Sequence, residues 1–178
     1  MTELIGYQRY TDWLGERVLS LADVWPQGRP RAVVVGLGQS PLSVRTGYRY
    51  QGGQAVNLRR LARAGLFDEA GGPVWEPVAL AAGVGFTDLV HRPIGSVFMA
   101  DLRHGAPLLR ATLAEHEPDL VISMSKEPVV ALFGEEYPPG VLPVRTGWGG
   151  EVFRMPLVNL PPGRMAQLLG ELTGLLGR

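Results

Sequence analysis

The chain of 178 residues contains no cysteine, a single lysine and only three histidines. Absence of cysteine excludes structural disulfides, thiolate zinc sites, iron–sulfur clusters and cysteine nucleophiles together. The histidines, His91, His104 and His116, show no HExxH or paired spacing, so no metal site is expected. The sole lysine, Lys126, follows Ser125 with no glycine-rich approach, which excludes a Walker phosphate loop. A GxSxG nucleophile elbow is missing as well. Long hydrophobic runs are absent: the longest, residues 32–38 and 78–86, fall far short of the roughly 18 residues that a membrane-spanning helix needs. The opening residues carry no basic patch ahead of an apolar stretch, so no secretory signal is expected and the expected location is cytoplasmic.

What is present fits one globular domain over residues 1–178, with 46% hydrophobic and 19% charged residues. Basic and acidic residues balance at 17 each, but not along the chain. Between Val24 and Phe67 stand seven arginines (Arg29, Arg31, Arg45, Arg49, Arg59, Arg60 and Arg63) and no acid. Such polarity predicts one electropositive surface on a neutral molecule, or else a chance cluster on a solvated face.

Apolar residues at Tyr7, Tyr10, Leu14, Val18 and Leu21 recur every three to four positions, which predicts an amphipathic helix over residues 7–21. Residues 31–36, a β-branched run closing on Gly36, read as a strand buried on both faces, followed by a polar, glycine-rich loop over 37–53. Helices are predicted at residues 55–64, 101–115, 127–133 and 165–176, and strands at 84–90, 120–123 and 152–156. The alternation indicates an α/β fold, a three-layer α/β/α sandwich around a mostly parallel central sheet. Ligands of such sheets bind at the carboxyl ends of the strands, which directs attention to the loops after Val35, Phe86 and Met155. The first begins like a dinucleotide fingerprint, but Pro41 stands where the third glycine belongs.

Three segments together resemble the mismatch-specific uracil/thymine-DNA glycosylase family of the uracil-DNA glycosylase superfamily. Gly36-Leu37-Gly38-Gln39-Ser40 and Thr46-Gly47-Tyr48-Arg49-Tyr50 are similar to its GINPG-type loop and the following TG-aromatic-x-aromatic segment. Gly85-Phe86-Thr87-Asp88-Leu89-Val90-His91-Arg92-Pro93 is similar to its second signature and is the most specific of the three. Residues 154–161, a late strand running into a proline-containing loop, resemble the third. The resemblance covers about residues 31–164 and implies a uracil-DNA glycosylase-like sandwich, a DNA partner, no cofactor and a monomer. Two departures stand out. Gly38 occupies the place of the asparagine that positions the hydrolytic water, and the third loop lacks the histidine of the main uracil-specific branch.

Cleavage of a glycosidic bond develops positive charge on the sugar and negative charge on the departing base. Asp88 is the expected catalytic carboxylate, orienting water and stabilising the cation; its alternative role is a cap or loop acceptor. The resemblance places Tyr50 beneath a flipped base, with the backbone of Gly36, Leu37, Gly38, Gln39 and Ser40 around the base carbonyls. Leu160, beside Asn159, occupies the place of the wedge that fills the vacated stack, or is a buried strand-end leucine. Arg45, Arg49, His91 and Arg92 are expected against DNA phosphates. Lys126 is expected to stay protonated at a helix start beside Glu127, leaving water as the nucleophile unless the amine of Met1 or Thr2 serves. A catalytically degenerate DNA-binding paralogue and a nucleotide-binding enzyme acting on free small molecules are the competing readings.

Overall fold

The computed structural model describes residues 3–177. Its centre is a five-stranded sheet built from β3 (Ala32–Gln39), β4 (Val84–Pro93), β5 (Leu120–Ser123), β6 (Gly140–Val141) and β7 (Glu151–Arg154). The spatial order is β4-β3-β5-β7-β6, and every pairing is parallel except β6 against β7. Helices α1 (Pro41–Thr46), α2 (Ala55–Arg63), α3 (Glu76–Ala81), α4 (Met99–His116), α5 (Lys126–Phe133) and α6 (Pro162–Leu176) supply the connections and the outer layers.

Alternation along β3 builds the three layers. Ala32 and Val34 join Phe86, Ile122 and Phe153 under Leu58 and Leu61 of α2, Ala79 of α3 and Leu172 of α6. Val33 and Val35 point the other way, joining Val121 and Val152 against Leu109 and Leu113 of α4 and Val129 of α5. All four β3 residues are fully buried, which is why this run reads as continuously apolar rather than alternating. The α/β/α sandwich inferred from the sequence is therefore the architecture.

The expected helix over residues 7–21 is instead a hairpin of β1 (Gln8–Trp13) and β2 (Glu16–Leu21). Its two-residue turn is Leu14-Gly15, both at positive φ (51° and 84°), the conformation that joins twisted antiparallel strands. Just past the hairpin an isolated bridge joins Val24 to Phe86 of the sheet, and Trp13 Nε1 ties the hairpin to α4 by donating to Asp101 Oδ1 at 2.9 Å. The expected loop over 37–53 is also shorter than read. Strand β3 continues to Gln39, α1 follows at once with Ser40 as its N-cap, and a 3₁₀ turn spans Gly52–Gln54. Among the described residues no helix is long and apolar enough to cross a membrane.

Candidate active site

Midway along the adjacent strands β3 and β4, rather than at a strand end, a buried polar cluster forms around Asp88, whose side chain is 3% exposed. Asp88 pairs in register with Gly36, and a Cβ on Gly36 would overlap Asp88 Oδ1, so only glycine leaves room for this carboxylate. Asp88 Oδ2 accepts from Gln39 Nε2 and from Arg49 Nη2, both at 3.1 Å. Oδ1 meets no donor among the described residues. The Tyr50 hydroxyl lies 3.3 Å from that same virtual Cβ, so Asp88 Oδ1 and the phenol converge over Gly36.

Tyr50 is held in an unusual way. Its backbone is left-handed (φ 55°), a conformation that costs a non-glycine residue on the order of 1–3 kcal/mol. Both neighbours are pinned. The Arg49 N–H donates to Glu76 Oε1 at 2.8 Å, and the Gln51 N–H donates to Ser43 Oγ at 3.2 Å. The Gln51 amide then donates to the carbonyls of Arg49 and Pro73. The ring packs on Phe86 with centroids 6.0 Å apart, and the enclosed hydroxyl has no partner among the described residues. Burial, reinforced by the Asp88 carboxylate and only partly opposed by Arg49, pushes the phenol above its ordinary pKa, so Tyr50 remains a neutral donor.

The remaining first-segment residues divide. Gly36, Leu37, Gly38 and Gln39 lie within β3 rather than in a loop, and pairing with β4 occupies part of their backbone. The Leu37 side chain packs against the α4 side of the core. A Cβ on Gly38 would stand 2.6 Å from Ile94 Cδ1, so a side chain here must displace Ile94. Gln39 is fixed by its side chain, which accepts from the Leu21 N–H at 2.7 Å and donates to the Leu21 carbonyl at 3.0 Å. Ser40 caps α1 by accepting from the Ser43 N–H at 3.0 Å. Gly38, Gln39, Ser40, Tyr50 and Asp88 together line a cavity of about 10 Å3. That is roughly the room for a single water molecule.

Several residues expected against DNA are committed elsewhere. Arg49 is buried, donating to the Ala22 carbonyl at 2.7 Å and pairing with Asp88, so it is an internal counter-ion and not a phosphate contact. Arg92 forks onto Asp101, which holds that carboxyl well below the usual carboxylate range and fixes the start of α4. His91 is half-buried between Arg9 Nη2 at 3.5 Å and Asp23 Oδ1 at 3.8 Å, and packs near Trp13. Arg45, in the last turn of α1, is exposed. In the third loop Asn159 is exposed and Leu160 half-buried, while Leu157 and Val158 project further, at 65% and 55% exposure. The more exposed apolar tip is therefore the 157–158 pair. Lys126 stands at the start of α5 as expected, but its ammonium lies 3.8 Å from Glu136, ten residues further along the chain, rather than being paired with the adjacent Glu127. The amines of Met1 and Thr2 lie outside the described residues.

The seven arginines do not form one face. Arg31 donates to the carbonyls of Leu66 and Ala82 just ahead of β3 and lines, with Arg63, a groove at the amino ends of the strands. Arg29 pairs with Asp119. Only Arg45 and Arg59 stand exposed near the Asp88 cluster, Arg59 in a cleft beside Tyr50. Glu76 escaped the sequence reading entirely. It is fully buried, holds the Arg49 backbone, and sits in a short helix with no motif to mark it. Comparison with protein-family models and with curated proteins finds no match to this chain.

Proposed function

We propose that the chain is a monofunctional DNA glycosylase that hydrolyses the N-glycosidic bond of uracil, or a related damaged or mismatched base, flipped out of DNA. The observation that carries this reading is the convergence of Asp88 Oδ1 and the Tyr50 hydroxyl over Gly36, which joins residues from two separately matched segments. In the reaction, a water oxygen bonds to C1′ of the sugar, the C1′–N bond breaks, its electron pair leaves with the base, and the proton the water loses ends on the departed base. Asp88 stabilises the cationic sugar and orients the water, while the neutral Tyr50 donates a hydrogen bond at the same point. The product is an intact abasic site. The test is release of free base from oligonucleotides carrying uracil or a panel of modified bases. Release from at least one substrate, lost in Asp88→Ala, supports the reading; no release from any overturns it.

A second reading is favoured by one specific observation. The cavity at Asp88 has about 10 Å3, and Oδ2 is already engaged by Gln39 and Arg49, as in a structural ion pair. On this reading the chain is a catalytically degenerate paralogue that binds DNA. Salt-dependent DNA binding without base release identifies it.

A further inference from the structure

The cavity at Asp88, of about 10 Å3, has room for one water and not for a base. Whatever reacts at this carboxylate must therefore move one of the cavity's walls, and the walls are held unequally. Gln39 is fastened through its side chain to both the N–H and the carbonyl of Leu21, and Arg49 to the Ala22 carbonyl and to Asp88. Gly38 pairs in register with Val90 inside the sheet. Ser43 Oγ accepts from Ser40 Oγ at 2.9 Å and from the Gln51 N–H at 3.2 Å. All of these are buried or half-buried, whereas among the described residues that line the cavity Gln54 alone is exposed.

Gln54 ends the 3₁₀ turn Gly52–Gln54 that leads into α2. Its side chain makes no cap bond to that helix, nor any other hydrogen bond among the described residues. The two residues before it are exposed glycines. A Cβ on Gly53 would meet nothing within 4 Å, and one on Gly52 would meet only Leu42 Cδ2, the tip of an exposed side chain, at 3.1 Å. The turn is thus fastened at its ends, at Gln51 by its bonds to Ser43 and the Pro73 carbonyl and at Ala55 by the start of α2, and is little supported between them. Segments with so few buried contacts open at the lowest cost in a fold.

We propose that the Gly52–Gln54 turn is the gate of the Asp88 cavity, with Gln54 the side chain that shields the carboxylate from solvent and moves aside to admit the substrate. The inference rests on the glycosylase reading for what enters, a flipped base; the gate itself follows from the walls of the cavity. Two glycines let the turn change its backbone angles with no side chain of their own to reposition. A cover of this kind keeps bulk water from the reacting carboxylate until a substrate replaces it. Gln54 is therefore a positioning residue, acting through access to Asp88 and not on the reacting atoms.

The absence of cysteine makes access measurable. Ser43→Cys places a single thiol in the cavity wall at a position 2% exposed, and its rate of alkylation by iodoacetamide reads opening. Ser123→Cys, wholly buried in β5, reads loosening of the whole fold. Gln54→Ala is expected to speed alkylation at position 43 about tenfold and to leave position 123 unchanged, while Gly53→Ala, at a φ outside the left-handed region, restricts the turn and slows alkylation at position 43 about threefold. Equal rates at position 43 with and without Gln54→Ala, or equal acceleration at both positions, overturn the gate. Where circular dichroism shows Ser43→Cys unfolded, Ser40→Cys, on the same cavity, takes its place with the same outcomes. Base release from a uracil-containing oligonucleotide, measured on the cysteine-free chain, separates the two claims. Base release with alkylation indifferent to Gln54 removes the gate and keeps the glycosylase; Gln54-dependent alkylation without base release keeps the gate and removes the glycosylase.

Discussion

Arg45 and Arg49 are four positions apart in one motif-bearing segment, yet one is exposed and the other is enclosed between Asp23, Asp88 and the Ala22 carbonyl. Arg49→Met strands a buried carboxylate, and removal of one partner from such a pair typically costs about 3–5 kcal/mol. The urea midpoint should fall accordingly, whereas Arg45→Gln should leave it unchanged. Asp101 provides a pH handle. Its carboxyl is depressed chiefly by the Arg92 hydrogen bond, with further help from the Phe98 N–H and the Trp13 indole. A depressed folded pKa means stability that is complete above the unfolded value, near about 3.9, and lost as pH falls below it towards the lower folded value. Asp101→Asn should therefore lower stability at pH 7 and flatten its decline below about pH 4; an unchanged acid limb would show that other carboxylates dominate. For Lys126, exposed beside Glu136, borohydride should trap no protein–DNA adduct that Lys126→Ala removes.

Among the elements, α4 is seated on β4 through a glycine. A Cβ on Gly105 would overlap the Leu89 carbonyl oxygen, which as backbone cannot swing aside. Gly105→Ala should thus destabilise by about 1–3 kcal/mol despite the better helix propensity of alanine. Gly170, exposed in α6 with nothing within 4 Å of a Cβ, is the control, and Gly170→Ala should raise the melting temperature. Equal shifts at both positions would contradict the packing assigned to α4. The elements also show what could be read beforehand. Strand β5 matches its expected bounds because Leu120–Ser123 is wholly buried and so wholly apolar or small. The β1–β2 hairpin was hidden because the spacing of Tyr7, Tyr10, Leu14, Val18 and Leu21 imitates a helix, while its strands are only partly covered and alternate weakly. The turn signal lay in Gly15. Helix α3, six residues long, is too short to carry a period. At the candidate site, Asp88 and Tyr50 were legible through their motifs. The burial of Arg49 was not, since it depends on carboxylates from three distant segments, Asp23, Glu76 and Asp88.

For the molecule as a whole, charge placement decides how DNA could approach. Arg29, Arg31 and Arg63 belong to the amino ends of the strands, where the Asp119 pair and backbone carbonyls occupy two of them. Arg45 and Arg59 lie on the side of the Asp88 cluster, near which the apolar tips Leu157 and Val158 project. Joint replacement of Arg45 and Arg59 by glutamine should weaken binding to all DNA sequences and reduce the salt slope by about 2, at roughly 0.9 per phosphate contact. Replacement of Arg29 and Arg63 should do neither. The central claim, that Asp88 serves chemistry as well as the fold, is tested most directly by single-turnover release of uracil from a uracil-containing oligonucleotide by the unaltered chain and by Asp88→Asn, whose folded state is checked by circular dichroism. The account predicts release by the former and a loss of orders of magnitude in the latter at nearly equal DNA affinity; equal rates in the two proteins, or no release by either, would contradict it.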